Sequence, residues 1–596
     1  MPKIQNPKSE PPLPPQPKRW HILPPPPPEF LARCGELGPV LGQILYHREL
    51  RDSDAIEAFL RGTTRVKNPY TLKGLPEAVT RIRRGLRQGE RMAVYGDFDA
   101  DGVTSTTLLV QALRAVGAQV EPYIPHRVDE GYGLNNHALS YLRERGCTLV
   151  ITVDCGIRSV HEAEHARAIG IDLIVTDHHH LGPQLPDAHA VINPRQADCR
   201  YGYTGLAGVG VAYRLAQGVL RAVSNGDRRS TSGLDETDLL DLVALGTVAD
   251  IVPLTAENRD LVRQGLARVK TTPRIGLLAL MDNAGVTADQ VDTTAIGFRL
   301  APRINAAGRL KSAMLAYQLL SSQEMGEAQQ LAAQLGALNQ QRQTLTEQTV
   351  LQARQEIEAD PGNGFLLMAE GDSFLHGVVG LAAGKLAEEY YRPVVVIERG
   401  PDVSHGSARS IPEFHVTAAL DQVAHLLERH GGHAAAAGLT VRTEQLPALR
   451  AALQEIAAAA LADQPLQPTL QIDAEVRLSD LDWGLHGLLQ QLEPCGEGNP
   501  APALLARNCQ VVEARTVGSE GAHLKLKLSD GWTTRDAIAF RQGAWLSRMR
   551  NRIDVVFNLE VNTYNGNRSL QLNVLDLAVA ADAAPSFQPA LIAGGA

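Results

Sequence analysis

Cysteine is scarce and scattered. The six cysteines, at 34, 147, 155, 199, 495 and 509, include no CxxC pair. That argues against both a disulfide scaffold and a structural zinc site, and makes a reducing cytosol the expected compartment. Long apolar runs are missing too: none approaches the roughly 20 residues that cross a bilayer, so no membrane contact is expected. The first 28 residues hold twelve prolines and lack the basic-then-apolar pattern of a secretory signal. Basic charge is in slight deficit, 57 Lys and Arg against 66 Asp and Glu, for a net of −9. As a whole-molecule property this speaks mildly against nucleic acid, but it leaves room for a local basic groove or a cluster of metal-binding carboxylates. Core-forming material is not lacking. Hydrophobic residues make up 44% and charged residues 21%, values of a folded chain, and 596 residues at roughly 150 per domain divide into three or four domains.

The pattern along the chain predicts an α/β protein. Residues 1–39 read as a Pro-rich, extended, flexible tail. Between 91 and 194, strand-like runs at 92–96, 120–124, 149–153, 173–176 and 190–193 alternate with helical spacing at 103–118 and 159–169, which is the signature of a parallel sheet covered by helices. A first domain over 40–322 follows. Residues 323–359, rich in Gln, Glu, Leu and Ala and free of proline, predict one long connector helix, ended by Asp360-Pro-Gly-Asn-Gly. A second α/β domain spans 360–466, with strands at 365–369 and 394–398, a helix over 380–391, and a further helix running through Leu427. From 467 to 580 short alternating strands (522–528, 536–540, 553–561, 569–575) predict a small β-barrel, followed by a tail at 581–596.

The carboxylates fall where strands end. Asp97, Asp99 and Asp101 lie in Tyr-Gly-Asp-Phe-Asp-Ala-Asp-Gly directly after the first strand, Asp154 ends the third, and Asp177-His178-His179 ends the fourth. In an open parallel sheet those ends share one rim, where ligands bind; Asp250, in Gly-Thr-Val-Ala-Asp-Ile-Val-Pro, adds a further carboxylate. A lone aspartate after a strand is ordinarily a turn or cap residue, and Asp97 or Asp250 taken singly reads that way. Four such clusters together read as a metal site, because carboxylates this close repel one another unless cations neutralise them. Hard oxygens with an imidazole suit Mn²⁺, with Mg²⁺ as the alternative. Two such ions about 4 Å apart serve in-line displacement at phosphorus. His180 reads either as a residue supporting the ligands or as a solvent-facing one.

In order and spacing, Asp97-Phe98-Asp99-Ala100-Asp101-Gly102, Asp154-Cys155-Gly156, Asp177-His178-His179 and Ala249-Asp250 resemble the four motifs of the DHH phosphoesterase superfamily. Gly131-Tyr132-Gly133-Leu134 and Arg303-Ile-Asn305-Ala-Ala-Gly308-Arg309-Leu310 resemble text of its RecJ branch, the single-strand DNA exonucleases, over residues 40 to 580. The resemblance implies a DHH domain, a DHHA1 domain and an OB-fold domain. It also implies 5′-to-3′ hydrolysis of single-stranded DNA to 5′-mononucleotides with divalent metal, in recombination and repair. Carried over by position, Asp99, Asp101, Asp154, His178 and Asp250 are metal ligands. Asp97 is a ligand or the partner of one, and His179 ligates, orients water or protonates the leaving oxygen. Some DHH relatives have a histidine where Tyr95 stands, a poor ligand, and Asp97 is expected to fill that place. Arg303, Asn305 and Arg309 are read as phosphate-positioning residues, guanidinium forks matching phosphate geometry. Arg409, Ser410 and His433 of the second domain, beside Gly431-Gly432, are read as holding the DNA backbone or its 5′ end.

Residues 505–575 hold ten Lys and Arg against six Asp and Glu, interleaved with Trp532, Phe540, Trp545, Phe557 and Tyr564, a composition that suits an OB fold gripping single strands; no single aromatic is assigned as a stacking platform. Single-strand-binding protein and a RecQ-type helicase, a monomeric state and a bacterial cytoplasm with nucleoid association are family expectations. The alternatives are a DHH hydrolase of short oligonucleotides, nucleoside bisphosphates or cyclic dinucleotides, and, in a different class, a non-catalytic DHH scaffold.

Overall fold

The computed structural model describes residues 16–62, 68–127, 130–131, 133–224, 233–360, 364–564 and 566–581. Tyr132 and the Pro-Gly-Asn of the connector's end lie outside them, as do residues 1–15. By internal contacts the chain forms two units. One comprises Gly62–Thr344 with Pro494–Pro500, the other Met1–Arg61 with Leu345–Glu493 and Ala501–Ala596.

The tail expected over 1–39 is structured from Arg19 onward. Arg19–Ile22 forms β1, a strand with no local alternation to announce it, and Pro28–Cys34 forms a helix entered through proline at its first turn. By internal contacts residues up to Arg61 group with the C-terminal half.

The first unit is built on a five-stranded parallel sheet: β2 (Arg91–Gly96), β3 (Gln119–Tyr123), β4 (Cys147–Val153), β5 (Asp172–Thr176) and β6 (Ala190–Ile192), in the order β3-β2-β4-β5-β6. Alternate residues of β2 feed two cores. Met92 and Val94 pack with Leu108, Leu113 and Leu215 on one face, whereas Ala93 and Tyr95 pack with Leu139, Leu142 and Ala166 on the other. A sheet covered on both faces needs strands apolar throughout, which is why β4 is buried along nearly its whole length. The loop from Pro494 to Pro500 belongs to this unit: the Leu254 amide donates to the Glu497 carbonyl at 2.7 Å, and the Thr293 hydroxyl to the Cys495 carbonyl at 2.7 Å.

The connector helix runs from Met325 to Ala359, about 52 Å at 1.5 Å per residue. In the second unit β7 (Leu367–Gly371), β8 (Val394–Glu398), β9 (Val403–Arg409), β10 (Leu427–Gly432) and β11 (Ala436–Arg442) make a mixed sheet ordered β10-β11-β9-β8-β7. The helix expected through Leu427 is thereby corrected. Only Val416–Gln422 is helical, and the small and polar residues on either side pair as antiparallel strands. β12 (Thr469–Ile472) pairs in parallel with β1. β13 (Ala474–Glu475), β14 (Leu504–Val517), β15 (His523–Ser529), β16 (Thr534–Ala539), β17 (Arg552–Tyr564) and β18 (Asn567–Val579) form the barrel, which closes where β14 also pairs with β17. All six cysteines are free, and among the described residues no helix is long and apolar enough to cross a membrane.

Candidate metal centre

The acidic motifs meet at the rim beyond β2, β4 and β5. Asp99 caps the helix Ala100–Ala115, its Oδ1 accepting the Gly102 amide at 3.0 Å. Within the first turn of that helix, the Asp101 carboxylate accepts the amides of Gly208 and Val209 at 2.7 and 2.8 Å. These belong to the first turn of Gly208–Val223, a helix end that favours negative charge. Asp154 leaves β4 with φ +61°, a left-handed backbone that costs a side-chain-bearing residue about 1–2 kcal/mol and persists where function requires it. Facing it is Gly208, where a Cβ would lie 2.7 Å from the Asp154 side chain, so glycine is what lets the two segments approach. Asp250 does not end a strand, contrary to the reading of four strand-end clusters; it terminates the helix Leu240–Ala249.

The sequence assigns Asp177 no role apart from its motif, and the structure supplies one. Its Oδ2 accepts the Ile157 amide at 2.9 Å; its Oδ1 accepts the amides of His178 and His179 at 2.7 and 3.0 Å and lies 2.7 Å from His179 Nδ1. One carboxylate thus holds the His179 ring and the backbone amides of both histidines, and its position as the first letter of the Asp-His-His triplet is the signal the sequence offers. His178 Nε2 then stands 3.1 Å from Asp154 Oδ1 and 3.6 Å from Asp250 Oδ2.

The electrostatics are those of a site short of positive charge. Burial first, and repulsion from Asp99 second, hold the Asp97 carboxyl well above the usual range; burial and then Asp101, Asp99 and Asp250 do the same to Asp154. Asp250 is pushed up to about 10 by burial and by Asp101 and Asp99. Asp101 rises to about 7 through burial and Asp99, against the pull of the two amides. Burial, with His179 beside it, takes His178 down to about 3, which keeps the ring neutral and able to ligate. For His179 burial pulls the other way, but the bond and charge of Asp177 win and raise it.

Asp97 Oδ1, Asp154 Oδ1, Asp250 Oδ2 and His178 Nε2 are buried without a hydrogen bond, each a costly state unless something fills the space between them. Ligand atoms lie within 4.8 Å of one another in the sets Asp97, Asp99, Asp154 and Asp101, His178, Asp250, which share no residue, and in Asp154, His178, His179. Two divalent cations fit this donor set of carboxylates and neutral imidazole. Tyr95 stands aside: its hydroxyl is buried and donates to the Gly133 carbonyl at 2.9 Å.

Residues 91–247 match the N-terminal domain of the DHH family, 363–459 the DHHA1 domain and 472–576 the RecJ OB domain. The single-stranded-DNA-specific exonuclease RecJ of Escherichia coli is 35% identical over 555 residues, 90% of this chain and 95% of that protein. The chain belongs to the RecJ family. The Thermus thermophilus RecJ is 35% identical over 571 residues, 94% of this chain and 78% of that one. Its crystal structure in complex with Mn²⁺ matches with a TM-score of 0.81, covering 94% of this chain and 80% of that chain at 32% identity. The Mg²⁺ complex matches at 0.75, with 94% and 79% covered at 31% identity.

The RecJ-like segment at 303–310 sits against the aspartate loop and braces it. Asn305 Oδ1 accepts the Ala100 amide at 2.7 Å, and a Cβ on Gly308 would meet the Phe98 carbonyl oxygen at 2.4 Å. Arg303 donates to Asn283 Oδ1 at 3.0 Å and to the Arg299 carbonyl at 2.6 Å. These contacts hold Arg303 and Asn305, which both remain partly exposed, and Arg309 is half-buried at the end of the same helix. In the other unit Arg409 donates to Ser407 Oγ and the Ala408 carbonyl, both at 2.8 Å. The Ser410 hydroxyl donates to the Phe414 carbonyl at 2.6 Å. Gly431 and Gly432 lie in β10, paired with β11, and are not a turn; His433 follows, exposed, its carbonyl accepting the Thr417 hydroxyl at 2.6 Å.

Proposed function

We propose that this RecJ-family chain is a single-strand-specific DNA exonuclease that hydrolyses phosphodiester bonds from the 5′ end and releases 5′-mononucleotides, in recombination and repair. The observation that carries the reading is the pair of separate ligand sets on one rim, four of whose buried atoms lack a hydrogen bond. Asp97, Asp99 and Asp154 would hold one divalent cation, and Asp101, His178 and Asp250 the other. Mn²⁺ is favoured because imidazole is present, and Mg²⁺ is the alternative. When bound, the ion pair lowers the pKa of water at the site and offsets charge on the phosphate under attack. The chain's own contribution is position. Asp177 orients His179, which moves a proton at the reacting phosphate; the left-handed Asp154 and the amide clamp on Asp101 hold their carboxylates before the ions arrive.

Grip on the strand falls to the barrel, where Lys525 and Lys527 of β15 point outward with Phe540 and Trp532 exposed nearby in the chain, a mixture of cations and rings that binds single strands with strong salt dependence. Arg409 and His433 are proposed to add phosphate contacts. Action as a monomer, alongside single-strand-binding protein and a RecQ-type helicase in the bacterial cytoplasm and nucleoid, completes the reading. The test is a time course on a long single strand labelled at either end, with Mn²⁺, beside Asp99→Ala. Mononucleotides released first from the 5′ end by wild type alone are expected. An intact long strand with rapid loss of di- to tetranucleotides would replace this reading with a small-substrate phosphoesterase.

A further inference from the structure

Asn258 lies in the first turn of the helix Ala256–Val269 and is fully buried. Its side-chain amide is spent on two other segments: Nδ2 donates to the Gly205 carbonyl at 2.6 Å and to the Pro253 carbonyl at 3.1 Å. Its backbone amide donates to the Tyr203 hydroxyl, which donates in turn to the Thr255 carbonyl at 3.1 Å. One helix turn therefore ties together the loop that enters Gly208–Val223 and the loop that leaves Asp250.

Those two loops surround one ligand set. Gly205 stands three residues before Gly208, whose amide, with that of Val209, clamps Asp101. Between them, the Leu206 carbonyl accepts a hydrogen bond from the His178 ring, the kind of bond that aims a metal-ligating imidazole. Pro253 stands three residues after Asp250, and the chain passes between them through Ile251 at φ +59°, a left-handed backbone that a β-branched residue adopts only under constraint. Asp101, His178 and Asp250 are thus each a short step along the chain, or across one hydrogen bond, from a carbonyl that Asn258 fixes. The loop of Asp97 and Asp99 is braced differently, by Asn305 and the close approach of Gly308.

The energetics single out the donors. Among the described residues Asn258 Oδ1 is buried without a hydrogen bond, a costly state for an amide oxygen. Turned over, the amide would set that oxygen against two carbonyl oxygens, so rotation offers no relief. An apolar side chain would avoid the cost altogether. What the amide supplies in return is the pair of N–H groups that hold Gly205 and Pro253.

We infer that Asn258 is a positioning residue for one of the two divalent cations: it keeps segments 205–208 and 250–253 at the spacing that lets Asp101, His178 and Asp250 close on a single ion. The inference rests on the two-cation reading of the exonuclease site and deepens it, assigning one buried amide to one of the ions.

Wild type, Asn258→Asp and Asn258→Ser are titrated with Mn²⁺ by calorimetry while the electron-spin signal of coupled Mn²⁺ pairs is followed. Each protein is then assayed on a long single strand over a range of Mn²⁺. Asn258→Asp keeps the shape of the side chain and loses its donors. It should bind one Mn²⁺ as tightly as wild type and the other about 10- to 100-fold more weakly, with the coupled signal delayed to correspondingly higher Mn²⁺. At limiting Mn²⁺ kcat should fall by a similar factor and return close to the wild-type value at saturating Mn²⁺, with KM for the strand unchanged. Asn258→Ser, which keeps one hydroxyl donor, should fall between the two. A role confined to stability gives instead a lower Tm, both ions weakened alike and no rescue by Mn²⁺; that result would overturn the inference, as would two ions bound as tightly as in wild type. If Asn258→Asp fails to fold, the Asn258→Ser titration decides alone. A wild type that binds fewer than two Mn²⁺ would overturn the two-cation reading together with this one; two ions in wild type with no selective loss in the variants would overturn this one only.

Discussion

The metal rim and the outer face of the barrel handle charge in opposite ways. At the rim, Asp97, Asp101, Asp154 and His178 are buried, several of their atoms lack partners, and the backbone at Asp154 is bent into an unfavourable region. On the barrel, Lys525 stands opposite Arg515 across the β14–β15 ladder. Trp532 is 92% exposed at the tip of the β15–β16 hairpin, where Asp530 accepts the Trp532 and Thr533 amides at 3.0 and 2.8 Å. A chemical step needs charges that are already stripped of water and held in place, so that no reorganisation accompanies the reaction. Holding a polymer needs charges and rings that stay wet until the polymer arrives. The first arrangement is all-or-none, the second is graded.

Substitutions should separate the two. The largest effect is expected from Asp154→Ala or His178→Ala: kcat lower by at least roughly 10³-fold, several kcal/mol of lost charge stabilisation, with affinity for a long strand nearly unchanged in a filter-binding titration. Parallel loss of affinity would collapse the distinction. Next comes Asp177→Asn, which leaves the ligands but loosens the His179 ring and the backbone that carries His178. About 10- to 100-fold lower Mn²⁺ affinity is expected, read by calorimetry. On the barrel, Trp532→Ala with Lys525→Ala and Lys527→Ala should weaken strand binding by about 1–3 kcal/mol for the ring and flatten the salt dependence by roughly 0.7 per cation removed, leaving kcat intact at saturating DNA.

The smallest effect concerns stability without metal. Asp250 is raised in the folded state to about 10 against an ordinary value of about 3.9 unfolded. The folded state thus binds the extra proton between those values, and the stability it contributes at low pH is lost as pH rises through that window. In chelator, Asp250→Asn should therefore gain in Tm relative to wild type as pH is raised from about 4 towards 10, and saturating Mn²⁺ should reverse the order. A difference in Tm that stays flat with pH would mean the carboxylate is not held protonated by its surroundings.

Much of the first unit was legible because parallel strands buried on both faces are plain apolar runs, and because each motif sits where such a run stops. The expected strands 92–96, 149–153 and 190–193 lie within two residues of β2, β4 and β6 at either end. Elements defined by a distant partner were not legible. β1, Arg-Trp-His-Ile in a proline-rich stretch, is a strand only because β12 lies beside it. β14, which closes the barrel, is interrupted by Arg507-Asn508-Cys509, where its register with β17 shifts. β9 to β11 are rich in Gly, Ala, Ser and His, which carry little strand signal. In the site, residue types that ligate metal were readable. Which neighbours hold an arginine was not, because only the fold sets Asn283 and the Arg299 carbonyl beside Arg303.

The pairing of β1 with β12 joins residues 450 positions apart, with Arg19 also donating to the Thr469 hydroxyl. On a ribosome adding about 5–20 residues per second, the opening segment emerges first and then waits roughly half a minute or more for its partner. All of the residues that fold into the parallel-sheet unit up to Thr344 are made in the interval, although that unit's loop at Pro494–Pro500 comes later still. The order of synthesis and the order of completion are therefore different. Through that wait an unpaired edge strand beside a run of prolines is what the nascent chain presents, and proline, which cannot donate to a ladder, keeps such an edge from recruiting the wrong neighbour.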